Sequence, residues 1–325
     1  MESGERIFIV NPKSGKGKGL EYEKWIKEWF RTYGVDPLVI LTSKEGENSP
    51  FELGKKAAKR RVAAVGIVGG DGTANLFVNG MMASNVCPEE FPPIGLFPVG
   101  VGNNLARNNG IPHGFEEQME IIIHGRTVLV DVGLLTTEKE KKYFLNVVSF
   151  GFDAEVTEKA KIQKEKYFFV PKTLSYGLTA LQEILRGLPS YQIKVQGRGF
   201  TFDSRMSLVA ALIGPTYGAI FRIAPEADST DGLFDVCMID KIESTLSGKK
   251  RAATILIQAT QGKHLGQPEV CLYRTPFLEV SSSQSLPCEM DGEILSTGKN
   301  YSISILPKAL KILVPEAYAP EYQSA

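Results

Sequence analysis

Apolar and polar positions change rhythm near the middle of the chain. Through the first part, short apolar runs alternate with stretches of helical spacing. Arg6–Val10 is a strand-like run that ends at Asn11-Pro12. A loop of glycines and lysines follows from Lys13 to Gly19, after which Tyr22, Trp25, Ile26, Trp29 and Phe30 recur at the spacing of one helix face. Val35–Leu41 predicts a second strand and Phe51–Arg61 a basic helix. Val62–Val68 predicts a buried strand closed by Gly69-Gly70-Asp71-Gly72, Asn75–Met82 a helix, and Ile94–Pro98 a further strand ending in a glycine loop. Strand alternating with helix implies a mostly parallel, doubly wound sheet. Ligands of such sheets bind beyond the carboxyl ends of the strands, where these glycine loops lie.

From Val128 the strand-like runs crowd together: Lys142–Val148, Tyr191–Val195, Phe200–Phe202, Met206–Ile213, Leu233–Ile239, Val270–Val280 and Tyr301–Leu306. Gly197-Arg198-Gly199 reads as a hairpin turn. Two helices interrupt the run of strands. Leu174, Leu178, Leu181 and Leu185 fall on one face of the first, and Leu246, Ala253, Leu256 and Ile257 lie in the second. The pattern predicts a β-rich second domain with inserted helices.

Composition narrows the function classes. A chain of 325 residues suggests about two domains. Its 43% hydrophobic and 23% charged residues exclude a wholly disordered chain. Lys+Arg 37 balances Asp+Glu 37, so no global field attracts nucleic acid, and none is expected as a partner. Cys87, Cys237, Cys271 and Cys288 form no CxxC pair and only three histidines are present, which argues against structural zinc and fits a reducing, cytoplasmic setting. The first residues lack the basic and apolar regions of a signal peptide. The longest apolar stretch, Leu208–Ile220, is broken by Gly214 to Gly218, so a transmembrane helix is excluded on length.

Three glycine loops carry the candidate chemistry. In Val65–Thr73 a buried strand leads through Gly69, Gly70 and Gly72 into a helix, so that backbone N–H groups and the helix dipole can meet phosphate oxygens. Asp71 in that loop could engage Mg2+ or a substrate hydroxyl; the same residues also read as a tight turn in which Asp71 caps the helix. The loop Asn11–Gly19 and the loop Pro98–Asn104 follow two further strands. Three such loops after parallel strands converge on one edge, which points to a nucleotide or polyphosphate site. There is no GxxxxGK[ST] and no GxGxxG; Val101 stands where a lysine would be needed after Gly95 and Gly100. Two acidic stretches lie in the second half. Pro225–Asp235 reads as a cation-binding turn or as an Asx turn. Glu289-Met290-Asp291-Gly292-Glu293 reads as a proton acceptor for an alcohol or as an ordinary β-turn.

Together, Asn11-Pro12-Lys13-Ser14-Gly15, Gly69-Gly70-Asp71-Gly72-Thr73 and Pro98 through Asn103 resemble the diacylglycerol kinase catalytic family, which includes soluble bacterial lipid kinases and sphingosine kinases. The likeness continues through Gly151-Phe152-Asp153-Ala154, Ile223–Ala227, Asp231-Gly232, Asp291-Gly292-Glu293 and Leu306–Pro315. GGDGT alone is shared with NAD kinases; the ordered set is more specific. The resemblance implies an α/β nucleotide-binding domain over residues 1–130, to which 307–325 returns, and a β-sandwich lipid-substrate domain over 131–306. It implies ATP and Mg2+ as cofactors. ATP would be bound by Asn11, Lys13, Ser14, Gly69, Gly70, Gly72, Thr73, Gly100, Gly102 and Asn103, with Asp71 and Thr73 serving the nucleotide–Mg2+ site. Asp291 would be the general base toward the acceptor hydroxyl, with Glu293 beside it. A structural Mg2+ would take the side chain of Asp231 and the carbonyls of Asp228 and Phe234, with Asp131 joining through water.

Three positions depart from the pattern: Leu76 replaces a glutamate, Val101 a threonine and Asn104 an aspartate. An acceptor with a long apolar chain needs an apolar entrance, expected at Tyr167–Val170 and the helix Lys172–Arg186. Lys159, Lys161, Lys164 and Lys166 read as a face toward anionic lipid or as a solvated helix face. The leading expectation is an ATP-dependent lipid kinase at a membrane surface, and homodimerisation is left open. The alternatives are a kinase of a soluble alcohol or nucleotide, and a regulator that binds lipid or nucleotide without turnover.

Overall fold

The computed structural model describes residues 4–166, 172–218 and 220–318, with only the helical backbone at 163–166 and 172–175. The chain divides into two compact units, residues 1–132 with 307–325, and residues 133–306.

The first unit alternates β1 (Arg6–Val10), α1 (Lys18–Arg31), β2 (Leu38–Leu41), α2 (Pro50–Ala58), β3 (Ala64–Gly69), α3 (Asp71–Met82), β4 (Ile94–Pro98), the short α4 (Asn104–Asn108) and α5 (Phe115–His124). Its strands are parallel in the order β2-β1-β3-β4, with Ile7 opposite Leu38 and Val65, and Val68 opposite Phe97. β1 and β3 are buried along their whole length, as continuous apolar runs in a two-sided parallel sheet should be. Helix α1 drives Tyr22, Ile26 and Phe30 into this core, where Phe8 meets Phe30 and Phe97 edge to face. Helix α3 begins at Asp71, four residues before the apolar spacing announces it, because the glycine loop itself forms the first turn.

The second unit follows a strand shared by sequence with the first, β5 (Arg126–Thr136). It contains β6 (Lys141–Phe144), β7 (Val147–Gly151), α6 (Phe152–Lys166), α7 (Lys172–Arg186), β8 (Tyr191–Gly197), β9 (Phe200–Leu212), β10 (Phe234–Asp240), α8 (Leu246–Ala259), β11 (Val270–Thr275), β12 (Phe277–Leu286), β13 (Cys288–Met290), β14 (Glu293–Ile294) and the start of β15 (Gly298–Val314). Apart from that start, β15 belongs to the first unit, where Ile312 pairs in parallel with Ile94 of β4. Pairing within the second unit is antiparallel, in the order β14-β13-β7-β9-β8-β12, with β10 between β9 and β11. The hairpin at Arg198-Gly199 joins β8 to β9 as expected.

Strand β9 organises the interior. Val209 and Ala211 enter one core with Val236 and Met238, while Leu208, Ala210 and Leu212 enter a second with Cys237, Ile184 and Ile255. One face of the sheet therefore packs against strands and the other against helices α7 and α8. Several boundaries differ from the apolar pattern: β15 runs Gly298–Val314 where Tyr301–Leu306 is expected, and β2 starts at Leu38 instead of Val35. Three further differences have a visible cause. Phe200–Phe202 and Met206–Ile213 are one strand, because Thr201, Asp203 and Arg205 are its solvent-facing positions. Val270–Val280 is two strands parted at Pro276, which has no N–H for a ladder. Lys142–Val148 is split at Leu145-Asn146 for a reason found in the site below.

Candidate active site

The first unit brings its three glycine loops together. Asn11, just past β1, donates from Nδ2 to Thr73 Oγ1 at 2.9 Å, and its Oδ1 accepts from Lys13 N at 3.1 Å. The N–H of Ser14 returns to Asn11 O, while the Lys13 side chain is exposed. Gly70 and Gly100 touch backbone to backbone: a Cβ on Gly100 would stand 2.6 Å from Gly70 Cα, so neither loop tolerates a side chain there. Asn103, at φ 50°, closes the third loop by donating to Pro98 O and Gly100 O.

Asp71 does something the sequence did not announce. Its Oδ2 accepts from Asn104 N at 3.0 Å and Asn104 Nδ2 at 3.3 Å, and its Oδ1 from Leu105 N at 3.1 Å. The carboxylate thus caps α4, not the helix it begins. Burial pushes its pKa up, and the N–H groups of Asn104 and Leu105 and the charge of Arg107 pull it back. A Cβ on Gly102 would sit 2.9 Å from this carboxylate. Leu76 and Val101 are exposed.

In the second unit, Asp291 and Gly292 take φ 48° and 83° between Met290 and Glu293, which pair directly. This is the tight two-residue hairpin that Asp-Gly favours. The Asp291 carboxylate receives three backbone N–H groups, from Leu145 at 2.7 Å, Asn146 at 2.9 Å and Val147 at 3.0 Å. Those N–H groups face a carboxylate instead of a neighbouring strand, which is why β6 and β7 separate there. Glu293 is exposed and its carboxylate pairs with Lys161 at 3.2 Å.

A buried acid pair lies behind this hairpin. Ser149 Oγ stands 2.7 Å from Asp153 Oδ2 and 3.0 Å from Glu289 Oε1, and Gly292 N donates to Glu289 Oε2 at 2.8 Å. Burial raises both carboxyl groups, and for Glu289 the charge of Asp153 adds to the effect. Asp153, with Tyr176, Tyr217 and His264, supplies the polar groups of a largely apolar cavity lined by Phe152, Val156, Ala180, Ile184, Leu208 and Ile255. Ser207 also lines it, and its hydroxyl is buried without a hydrogen-bond partner among the described residues. This cluster was missed from sequence; the available signal was Ser149, a polar residue inside the wholly buried strand Val147–Gly151.

Other expected features are rearranged. Tyr167–Val170 lies outside the described residues. Lys159 is paired with Glu155 and Glu183, and Lys161 with Glu293, so neither is a bare cation for lipid; the side chains of Lys164 and Lys166 are not described. On α7, Leu178, Leu181 and Leu185 are exposed, while Thr179, Ala180, Glu183 and Ile184 are buried. In the Asp228–Phe234 turn, Asp231 Oδ1 accepts from Leu233 N at 2.8 Å and Oδ2 meets the Arg274 guanidinium. Asp228 Oδ1 accepts from Thr230 N and Oγ1, and its carbonyl faces Asp231 N. Asp131 Oδ1 accepts from Lys308 N at 2.7 Å. Among the described residues no group of three or more His, Cys, Asp or Glu is placed to hold a metal ion. With the oxygens of Asp231 engaged and a guanidinium on them, the turn does not fit the open oxygen set that Mg2+ requires.

Glycine loops gathered beyond the strands of a parallel sheet, followed in the chain by an antiparallel β-rich unit with a largely apolar cavity, define a two-unit protein of the nucleotide-binding α/β type. The profile of the diacylglycerol kinase catalytic domain matches residues 5–135, and that of the YegS C-terminal NAD kinase beta sandwich-like domain matches residues 146–314. Among similar proteins, one named diacylglycerol kinase from Staphylococcus carnosus is 27% identical over 295 residues, covering 90% of this chain and 89% of its own. One from Chromohalobacter salexigens named "Probable lipid kinase YegS-like" is 28% identical over 320 residues, covering 97% and 95%. A solved structure described as a diacylglycerol kinase from Bacillus anthracis superposes with a TM-score of 0.71 over 98% of this chain and all of its own, at 18% identity, a likeness of fold. The chain belongs to the lipid kinase family built from a diacylglycerol kinase catalytic domain and a YegS-type NAD kinase-like β-sandwich. Among the described residues, no helix is long and apolar enough to cross a membrane.

Proposed function

We propose that the protein transfers the γ-phosphoryl group of ATP to a hydroxyl of diacylglycerol or a related lipid. The apolar cavity of the second unit carries the lipid assignment: its lining suits a hydrocarbon chain, and Asp153 and the unpartnered Ser207 hydroxyl suit a polar head. The loops bearing Asn11, Gly70, Thr73 and Gly100 are the proposed ATP phosphate site. Asp71 and Thr73 offer the carboxylate and hydroxyl oxygens a hard cation takes; Mg2+ carried by ATP would neutralise phosphate charge there.

Asp291 is the proposed base. Its oxygens are fixed by three backbone N–H groups at the tip of a tight hairpin. The acceptor oxygen attacks the γ-phosphorus, the bond to the β-phosphate oxygen breaks, ADP departs, and the hydroxyl proton passes to Asp291. The exposed leucines of α7, with Leu246 and Ile257 of α8, form the proposed contact with a membrane surface.

The test is phosphate transfer from labelled ATP with Mg2+ to diacylglycerol, a sphingoid base, a ceramide and a monoacylglycerol in mixed micelles, with NAD as the soluble control. Labelled diacylglycerol is expected, and Asp291→Asn should cut turnover by about 10²–10⁴-fold while ATP still binds. Labelled NAD, or undiminished transfer by Asp291→Asn, would overturn the assignment.

A further inference from the structure

The Glu226–Asp235 segment gathers Glu226, Asp228, Asp231 and Asp235 around one turn and the start of β10. Asp235 is 2% exposed, and burial, with the charges of Glu226 and Asp228 added to it, pushes its carboxyl up to about 7. Such a concentration of carboxylates around a buried member is relieved by a proton or by a cation. The chain supplies one from the neighbouring strand. Arg274 of β11 stands directly opposite Asp235 in the ladder, so the backbone register, not a chance side-chain swing, delivers it. Its Nε lies 3.7 Å from Asp235 Oδ1, and its guanidinium meets Asp231 Oδ2.

We propose that the guanidinium of Arg274 takes the place of the divalent cation that the family resemblance assigns to this turn, so that the second unit is neutralised from within and needs no Mg2+ there. A guanidinium serves two carboxylates at once and never deprotonates, which a mobile ion cannot guarantee. It also repels a dication from the oxygens it holds. The inference does not depend on which lipid is the acceptor or on Asp291 being the base.

Thermal unfolding of the whole protein without nucleotide tests it, comparing EDTA, MgCl2 and NaCl at matched ionic strength. The wild type should unfold at the same temperature in all three, and so should Arg274→Lys. Arg274→Met keeps the length and loses the charge. It should unfold roughly 2–4 °C lower in EDTA, a small shift because the guanidinium is half exposed, and recover with MgCl2 but not with NaCl. A wild-type rise with MgCl2 that Asp231→Asn abolishes would overturn the proposal. So would an Arg274→Met protein unmoved by both EDTA and MgCl2. If Arg274→Met does not fold, the comparison of wild type with Asp231→Asn still decides, since both are then expected to ignore MgCl2.

Discussion

Ser149 has one hydroxyl hydrogen and two buried carboxyl groups within hydrogen-bond reach. It cannot donate to both at once, and burial raises both carboxyl groups, Glu289 the more strongly, so the pair favours holding a proton. The consequence for stability has a definite sign. A carboxyl raised by folding holds a proton that the unfolded chain releases above about pH 4. The native state then binds more protons, so this contribution is complete below the unfolded value and is lost as the pH rises toward the folded one. Glu289→Gln should reproduce the protonated form, with its carbonyl on Gly292 N and its amide on Ser149. The variant should fold, and its denaturation midpoint should fall less than that of the wild type between about pH 5 and pH 8. Equal slopes would show that the pair does not titrate in that window.

At the scale of elements, α7 is the clearest case of a helix whose apolar stripe faces outward. Leu178, Leu181 and Leu185 are exposed, and the helix is anchored instead by Ala180, Ile184 and the ion-paired Glu183. The double substitution Leu178→Asp, Leu185→Asp should leave the unfolding temperature nearly unchanged, because exposed side chains contribute little to the core. It should reduce sedimentation with phospholipid vesicles and slow transfer to a vesicle-borne acceptor more than to a short-chain soluble one. Retained vesicle binding would remove this face from the membrane role. The sequence displayed the stripe but not its direction, since spacing reports which residues share a face and not what covers it. It placed β1 and β4 to the residue because both are uninterrupted apolar runs closed by a turn. The β6–β7 break was hidden because its cause, Asp291, lies 144–146 residues downstream. The glycine loops were readable as motifs; that Asp71 serves α4 was not, because a cap 33 residues away leaves no local pattern.

At the scale of the molecule, the first unit is discontinuous: residues 1–132 are completed by the segment from Pro307 onward. Leu310, Ile312, Leu313 and Val314 of that segment are buried. Each is worth about 1.5–3 kcal/mol, so together they approach the whole stability of a typical domain, about 5–15 kcal/mol. A chain stopped after Leu306 should therefore lose ATP binding and the unfolding transition of the first unit in calorimetry; an unchanged thermogram would contradict this. The same return strand sets an order of events on the ribosome. All of residues 133–306 must be translated before the partner of β4 exists, about 9–35 s at ~5–20 residues per second. During that interval the earlier-made unit waits with a sheet edge unclosed. The unit that starts first is thus completed last, and β4 is the edge that stays open until Ile312 arrives.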